Sequence, residues 1–331
     1  MTHERASERA NERASGPRIE LAGVIHRFGD RAALAGLSIQ VAAGEIYGLV
    51  GPDGAGKTTA LRIAAGLIRP GAGQVRLAGQ DPLDARSTSR ERLGYMPQQY
   101  SLYGDLTVAE NLAFFREMYG LSRPAFRARR DRLLALTRLA AFGDRRAQAL
   151  SGGMYKKLAL ACALLHEPEV LLLDEPTTGV DPISRRELWD LLHELLAEGI
   201  AIVLTTPYMD EAARCHRAGL LYQGALLVEG TPAALLAAFP HAVVTLEGDR
   251  DVLEELLVRD PDVLAFTPAG AQLRVVLRRG RDGAVNGAVI ERLAAAGARA
   301  GPATATFEDV FLASVRERAA SVPGGVAGGV A

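Results

Sequence analysis

The 331-residue chain suits one large domain plus a smaller one, and 48% hydrophobic residues are enough for a full core. Its 38 basic and 39 acidic residues balance, so no global field argues for a nucleic-acid partner, and its two cysteines, Cys162 and Cys215, read as inert thiols of a reducing compartment. The densest apolar run, Leu158 to Leu165, is well short of a membrane span, and the charged start Met1-Thr2-His3-Glu4-Arg5 lacks the apolar core of a secretion signal. The expectation is a cytosolic protein that reaches any membrane through a partner.

Residues 1–16 are charged and polar and are expected to be disordered. Glu45 to Val50 predicts a short apolar strand, and Lys57 to Ile68 a helix whose apolar face carries Leu61, Ile63, Ala64, Leu67 and Ile68. Residues 105–165 read as almost wholly helical, which predicts a helical subdomain inserted into a sheet domain. Val170 to Leu173 and Ile200 to Leu204 are continuous apolar runs of the kind a parallel sheet buries on both faces. Helical patterns at Ile183 to Leu196 and Tyr208 to Cys215 follow them. Strands alternating with helices over 17–238 predict an α/β domain with a parallel sheet. From 241 to 317 the order is strand (Ala242–Leu246), helix (Val252–Val258), strand (Val263–Thr267), strand (Gln272–Leu277), helix (Val285–Ala296) and strand (Ala298–Thr304). That order predicts a small ferredoxin-like α+β unit, with a last helix at Glu308 to Val315. Residues 318–331, rich in Gly and Ala, read as a flexible tail.

The loop after the first strand is Gly51-Pro52-Asp53-Gly54-Ala55-Gly56-Lys57-Thr58, followed by Thr59. It fits the G-x-x-x-x-G-K-[ST] pattern between a strand and a helix. Glycines let successive N–H groups close on phosphates, and the helix presents its positive end to the same anion. Lys57 then reaches the β- and γ-phosphates of ATP, and Thr58 offers a hydroxyl to Mg²⁺. Asp174 ends the apolar strand at its C-terminal edge, where open α/β sheets bind ligands, and suits a metal. Glu175 follows at once and can accept a proton from an attacking water.

With Leu150-Ser151-Gly152-Gly153-Met154 standing between these segments, the chain resembles the ATP-binding subunits of ABC transporters over about residues 17–235. The resemblance implies a P-loop NTPase core in which Ser151, Gly152 and Gly153 bind the γ-phosphate held by an opposite subunit. Met154 stands where the family usually has Gln. Gln98 in Tyr95-Met96-Pro97-Gln98 matches the glutamine that contacts metal and attacking water, Asp181 the aspartate at the subunit boundary, and Phe28 the aromatic that stacks on adenine. Pro207 occupies the position where the family usually places a histidine on the γ-phosphate. Proline offers neither an imidazole nor an N–H. The resemblance therefore implies weak basal turnover, with Thr205 or Thr206 as partial substitutes.

In that family the stretch Gln99-Tyr100-Ser101-Leu102-Tyr103-Gly104-Asp105 lies near the groove that receives the membrane subunit. Packing of the helical subdomain is the alternative role for it. The ending Ala305-Thr306-Phe307-Glu308-Asp309-Val310-Phe311-Leu312 resembles the tail of exporter ATPases of the drug- and polysaccharide-export type, including daunorubicin-resistance proteins. The implied function is an ATPase that energises a separate integral membrane permease by ATP-driven dimerisation, as a homodimer or with a second ATP-binding subunit. It would lie peripherally on the inner face of the membrane. A soluble ABC protein acting on nucleic acid or ribosomes, and a nucleotide-gated regulator, are the competing classes. One cassette, no sustained heptads and neutral charge weigh against the former, while Pro207 motivates the latter.

Overall fold

The computed structural model describes residues 16–99, 102–280 and 284–321. The expected disorder of residues 1–15, the tail from 322 onward, and Tyr100 and Ser101 of the coupling stretch lie outside the described residues. Two units form, one ending at Glu211 but including Cys215–Leu226, the other comprising Ala212–Arg214 and the chain from Leu227. That division falls ahead of the boundary between 238 and 241 expected from sequence.

The first unit begins with strands β1 (Ile19–Phe28) and β2 (Arg31–Val41), a hairpin whose turn brings Phe28 opposite Arg31. Strand β3 (Ile46–Val50) enters the Gly-rich loop and helix α1 (Lys57–Ala64) leaves it. The helix stops four residues short of the predicted Ile68, because Gly66 turns left-handed at φ 68° just past the Ala65 cap. Strand β4 (Ala72–Leu77) pairs with β1, which completes a three-stranded antiparallel sheet, β2-β1-β4. Strand β5 (Leu93–Met96) follows.

Residues 105–165 carry three α-helices, α2 (Val108–Met118), α3 (Arg123–Leu136) and α4 (Gly152–Leu164). Each start is written in the sequence. Thr107 and Glu110 form a reciprocal capping box on α2, Ser122 caps α3, and Ser151 caps α4. Strand β6 (Val170–Asp174), helix α5 (Pro182–Leu196), strand β7 (Ala201–Thr206), the short helix α6 (Met209–Ala212), and strands β8 (Arg217–Tyr222) and β9 (Ala225–Gly230) complete the series. The helix expected over Tyr208 to Cys215 is only the single turn of α6.

The six-stranded sheet runs β5-β6-β7-β3-β8-β9, and β5-β6, β6-β7, β7-β3 and β3-β8 are all parallel. Every residue of β3, β6 and β7 is buried, which explains their unbroken apolar sequences. Alternate side chains serve two cores. Leu171, Leu173, Ile202 and Leu204 join Leu158 and Trp189 on the face of α4 and α5. Leu49, Leu172 and Val203 join Leu61 and Ile63 of α1 and the antiparallel sheet on the other.

The second unit holds α7 (Pro232–Ala237) and then β10 (Ala242–Glu247), α8 (Arg250–Arg259), β11 (Val263–Ala269), β12 (Gln272–Leu277), α9 (Gly287–Ala295) and β13 (Arg299–Pro302). Its sheet is antiparallel in the order β11-β12-β10-β13, the ferredoxin-like arrangement expected. Leu253 and Leu257 of α8 and Val289 and Leu293 of α9 pack with Leu246, Leu273 and Val275 of the sheet. The last helix, α10 (Phe307–Ser321), sets Ala313 against Leu264 and Val276. It extends past residue 318, so the first residues assigned to the tail are helical. Buried Asp309 anchors its start, accepting from Thr306 N and Oγ1 at 2.6 and 2.8 Å and from Arg274 Nε at 2.9 Å. Burial disfavours that charge, but the Arg274 and Thr306 bonds outweigh it and hold the carboxyl below its ordinary range.

Candidate nucleotide site

The Gly-rich loop connects the C-terminal end of β3 to α1. Gly56 has φ 110°, and a Cβ there would lie 2.3 Å from the carbonyl oxygen of Ala33, so only glycine fits. No side chain caps α1, which leaves its first N–H groups pointing at the loop as an anion site. Lys57 is 4% exposed, and its Nζ donates to the carbonyls of Gly51 at 2.8 Å and Pro52 at 3.1 Å. The same ammonium lies 3.3 Å from Glu175 Oε1 and 3.9 Å from Asp53. Asp53 and Gly54 are exposed, Ala55 is buried, and Thr58 and Thr59 are half-buried on the first turn of α1.

The carboxylates converge on this loop. Asp174, 1% exposed at the end of β6, accepts from Thr58 Oγ1 at 3.1 Å and Thr205 Oγ1 at 2.7 Å. Glu175, 4% exposed, has φ 48°, a left-handed conformation that is costly for a side-chain-bearing residue. Its Oε2 accepts from Gln98 Nε2 at 2.7 Å and Thr178 Oγ1 at 3.2 Å. Gln98 reaches it because β5 and β6 are parallel neighbours and both deliver their C-terminal ends here. One web therefore joins Lys57, Thr58, Gln98, Asp174 and Glu175, all chosen from sequence.

The donor set also fits Mg²⁺. A hydroxyl and a carboxylate on Thr58 and Asp174 are hard oxygen ligands, and the Gln98 amide oxygen is a third candidate while its nitrogen donates to Glu175. Among the described residues no group of three or more His, Cys, Asp or Glu side chains could hold a metal alone. Such an ion would need phosphate oxygens and water to complete its shell, as Mg²⁺ in nucleotide sites does.

Ser151, Gly152 and Gly153 stand apart from this web. Ser151 is exposed, and its Oγ accepts from Met154 N at 3.3 Å, which leaves the hydroxyl proton available to donate. A Cβ on Gly153 would lie 2.3 Å from Ser184 Cβ, so α4 starts in close contact with α5. Asp181 caps α5, accepting from Ser184 N at 3.0 Å and Ile183 N at 3.1 Å, and the Ser184 bond foremost lowers its pKa. Among the described residues no hydrogen bond or ion pair joins Ser151, Gly152, Gly153 or Asp181 to residues 51–58. Phe28 is 54% exposed at the hairpin turn, with its ring edge-on to His26 at 4.6 Å. Arg31 Nη2 donates to Gly54 O at 3.4 Å and ties that hairpin to the loop.

Pro207 is half-buried directly after β7. Thr205 cannot stand in for a histidine on phosphate. It is fully buried, and its hydroxyl is engaged between Asp174 and the N–H of Glu175. Thr206 is equally buried, and its Oγ1 accepts from Tyr208 N at 3.0 Å.

Sequence reasoning passed over three neighbours. Lys156 Nζ donates to Gln98 O at 2.8 Å, and Tyr155 Oη accepts from Leu102 N at 3.2 Å, so the first turns of α4 hold both ends of the Gln98–Leu102 segment. Burial lowers the Lys156 pKa against the opposing pull of Glu175 and Asp174. Buried Asn111 braces the same region, accepting from Tyr103 N and donating to the carbonyls of Tyr103, Leu106 and Thr107. A polar residue at an apolar position of α2 was the available signal. Beside it Tyr103 and Phe114 are exposed, and their rings meet edge-on at 4.7 Å.

Comparison with known proteins places this geometry. The ABC transporter family model matches residues 34–178. The probable multidrug ABC transporter ATP-binding protein YbhF of Escherichia coli is 44% identical over 272 residues, which cover 79% of this chain and 46% of that protein. The chain thus spans about half the length of the first curated relatives it matches. The Nod factor export ATP-binding protein I of Paraburkholderia xenovorans is 46% identical over 222 residues, which cover 66% of this chain and 73% of that one. A dimeric ATP-binding cassette solved in a post-hydrolysis state with ADP and phosphate superimposes with a TM-score of 0.58 at 27% identity, over 64% of this chain and 98% of that one. With a common fold and this level of identity over most of the Nod factor export relatives' length, the chain belongs to the ATP-binding proteins of ABC transporters.

Proposed function

We propose that this chain hydrolyses ATP to drive a separate membrane permease of an ABC exporter, two copies closing on two nucleotides. The observation that carries the reading is the separation within one copy. The web of Lys57, Gln98, Asp174 and Glu175 forms within one copy, whereas among the described residues the exposed Ser151 cap makes no hydrogen bond to it. A second copy supplies the missing wall.

Phe28 stacks on adenine, and the α1 N-terminus with Gly51, Gly54 and Gly56 surrounds the phosphates. Thr58 and Asp174, with Gln98 beside them, would hold Mg²⁺, which would supply neutralisation of the phosphate charge. Lys57 exchanges the Gly51 and Pro52 carbonyls and Glu175 for phosphate oxygens. That exchange leaves Glu175 free to accept a proton from the water that Gln98 orients, as the bond from the γ-phosphorus to ADP breaks. Ser151 of the second copy donates to the γ-phosphate, with the N-terminus of α4 behind it. Asp181 lies at the same boundary.

The exposed Tyr103 and Phe114 rings, in edge-on contact just after the Gln98–Leu102 segment, suit a helix of the permease. No helix among the described residues is long and apolar enough to cross a membrane. In this reading the chain sits peripherally on the inner face of the membrane through its permease. Export is supported by a relative named for Nod factor export, beside one named for a multidrug ABC transporter. MgATP turnover by the chain alone and with its reconstituted permease tests the reading. Slow turnover that the permease raises is expected, and turnover indifferent to the permease contradicts it.

Pro207 favours a second reading, a nucleotide-gated regulator that binds ATP and barely cleaves it. P207H separates the two. A hydrogen bond to charged phosphate contributes roughly 1.5–3 kcal/mol, so turnover is expected to rise by about one to two orders of magnitude. An unchanged kcat would mean that this position does not limit the rate.

A further inference from the structure

Thr205 lies directly beside Asp174 in the parallel register of β6 and β7. Its hydroxyl has one proton and two lone pairs. The proton goes to Asp174 Oδ1 at 2.7 Å, and the oxygen accepts the N–H of Glu175 at 3.0 Å. The Thr205 carbonyl takes that same N–H at 3.2 Å. Asp174 Oδ1 also receives the Thr58 hydroxyl at 3.1 Å, so one carboxylate oxygen lies between a residue of α1 and a residue of β7. The Glu175 backbone needs such restraint. A left-handed φ of 48° is costly for a side-chain-bearing residue and persists only where neighbours over-determine it. Thr205 is itself fully buried, so its rotamer is fixed by packing.

We propose that Thr205 is a positioning residue for ATP hydrolysis: its hydroxyl sets the Asp174 carboxylate toward Thr58 and fixes the left-handed turn that aims Glu175 at Gln98 and Lys57. The inference rests on Asp174 and Glu175 being the acting carboxylates of the site. Thr205 touches neither nucleotide nor water in this role. Its removal therefore alters the chemical step and leaves nucleotide binding to the Gly-rich loop.

Steady-state turnover and ATP affinity of the full chain, measured for wild type, T205V, T205S and E175Q, test it. T205V keeps the shape and removes the hydroxyl. Its kcat is expected to fall about tenfold or more, the scale of one hydrogen bond to a charged group, with KM and nucleotide affinity within about twofold. T205S restores the hydroxyl and is expected to return kcat to within about threefold of wild type. If T205V does not fold, T205A carries the same expectation. Wild-type turnover by T205V, or T205S as slow as T205V, overturns the proposal. E175Q keeps the two claims apart. Wild-type turnover in E175Q would remove the reading of the site itself, whereas slow E175Q beside fast T205V would remove only the role given to Thr205.

Discussion

Glu175→Gln is expected to lower ATP turnover by about 10²–10⁴-fold, the usual contribution of a positioned general base. The substitution preserves size and removes the charge. Gln98 Nε2 and Thr178 Oγ1 can still donate to an amide oxygen at position 175, so the local shape survives. The variant binds ATP and cannot release it as product. Two-copy closure then predicts that E175Q with saturating MgATP accumulates as a dimer holding two nucleotides, visible by size-exclusion chromatography with light scattering. E175Q that turns over normally would place the base elsewhere.

Lys57→Ala is expected to abolish turnover and to weaken ATP binding roughly ten- to hundredfold, since a hydrogen bond to a charged group contributes roughly 1.5–3 kcal/mol. Lys57 is 4% exposed, and its ammonium makes two bonds to loop carbonyls and an ion pair with Glu175. Phosphate must compete with all three, and it prevails because its charge is larger and it also faces the free N–H groups of α1. Titration with a fluorescent ATP analogue measures the effect. Unchanged affinity would mean that Lys57 stays on Gly51, Pro52 and Glu175 when nucleotide is present. Loss of the Lys57 cation also leaves Glu175 buried beside fewer charges, so thermal unfolding of the variant is the control for folding.

Much of this site was legible in the sequence because its parts are local. β3, β6 and β7 are buried on both faces and read as unbroken apolar runs, and the loop and the Asp174-Glu175 pair sit at their ends. The alternating elements of the second unit carried their own turn and helix signals, and its antiparallel order followed. The sheet of β1, β2 and β4 did not show itself. Register shifts between Leu21 and Val24, between Val24 and Ile25 and between His26 and Arg27 break the period-2 pattern on which strand reading depends. Helix α1 was overextended because Leu67 and Ile68 continue its apolar face beyond Gly66, where the backbone turns away. Thr205 and Lys156 were misjudged or passed over for a different reason. Their partners, Asp174 and Gln98, are 31 and 58 residues away, and only the parallel register and the packing of α4 bring them together. No spacing rule reports a hydroxyl that serves a neighbouring strand.

The shared pocket is tested most directly by a cysteine pair placed on its two walls. Asp53 on the Gly-rich loop and Ser151 at the start of α4 are both exposed, whereas the native Cys162 and Cys215 are buried with their thiol pKa values pushed up, Cys215 to about 12, so they stay out of the reaction. In a D53C/S151C chain that also carries E175Q, MgATP is expected to produce a disulfide-linked dimer under mild oxidation, and nucleotide-free protein is expected to stay monomeric. Monomer at saturating MgATP, or cross-linking indifferent to nucleotide, would contradict closure of two copies on ATP.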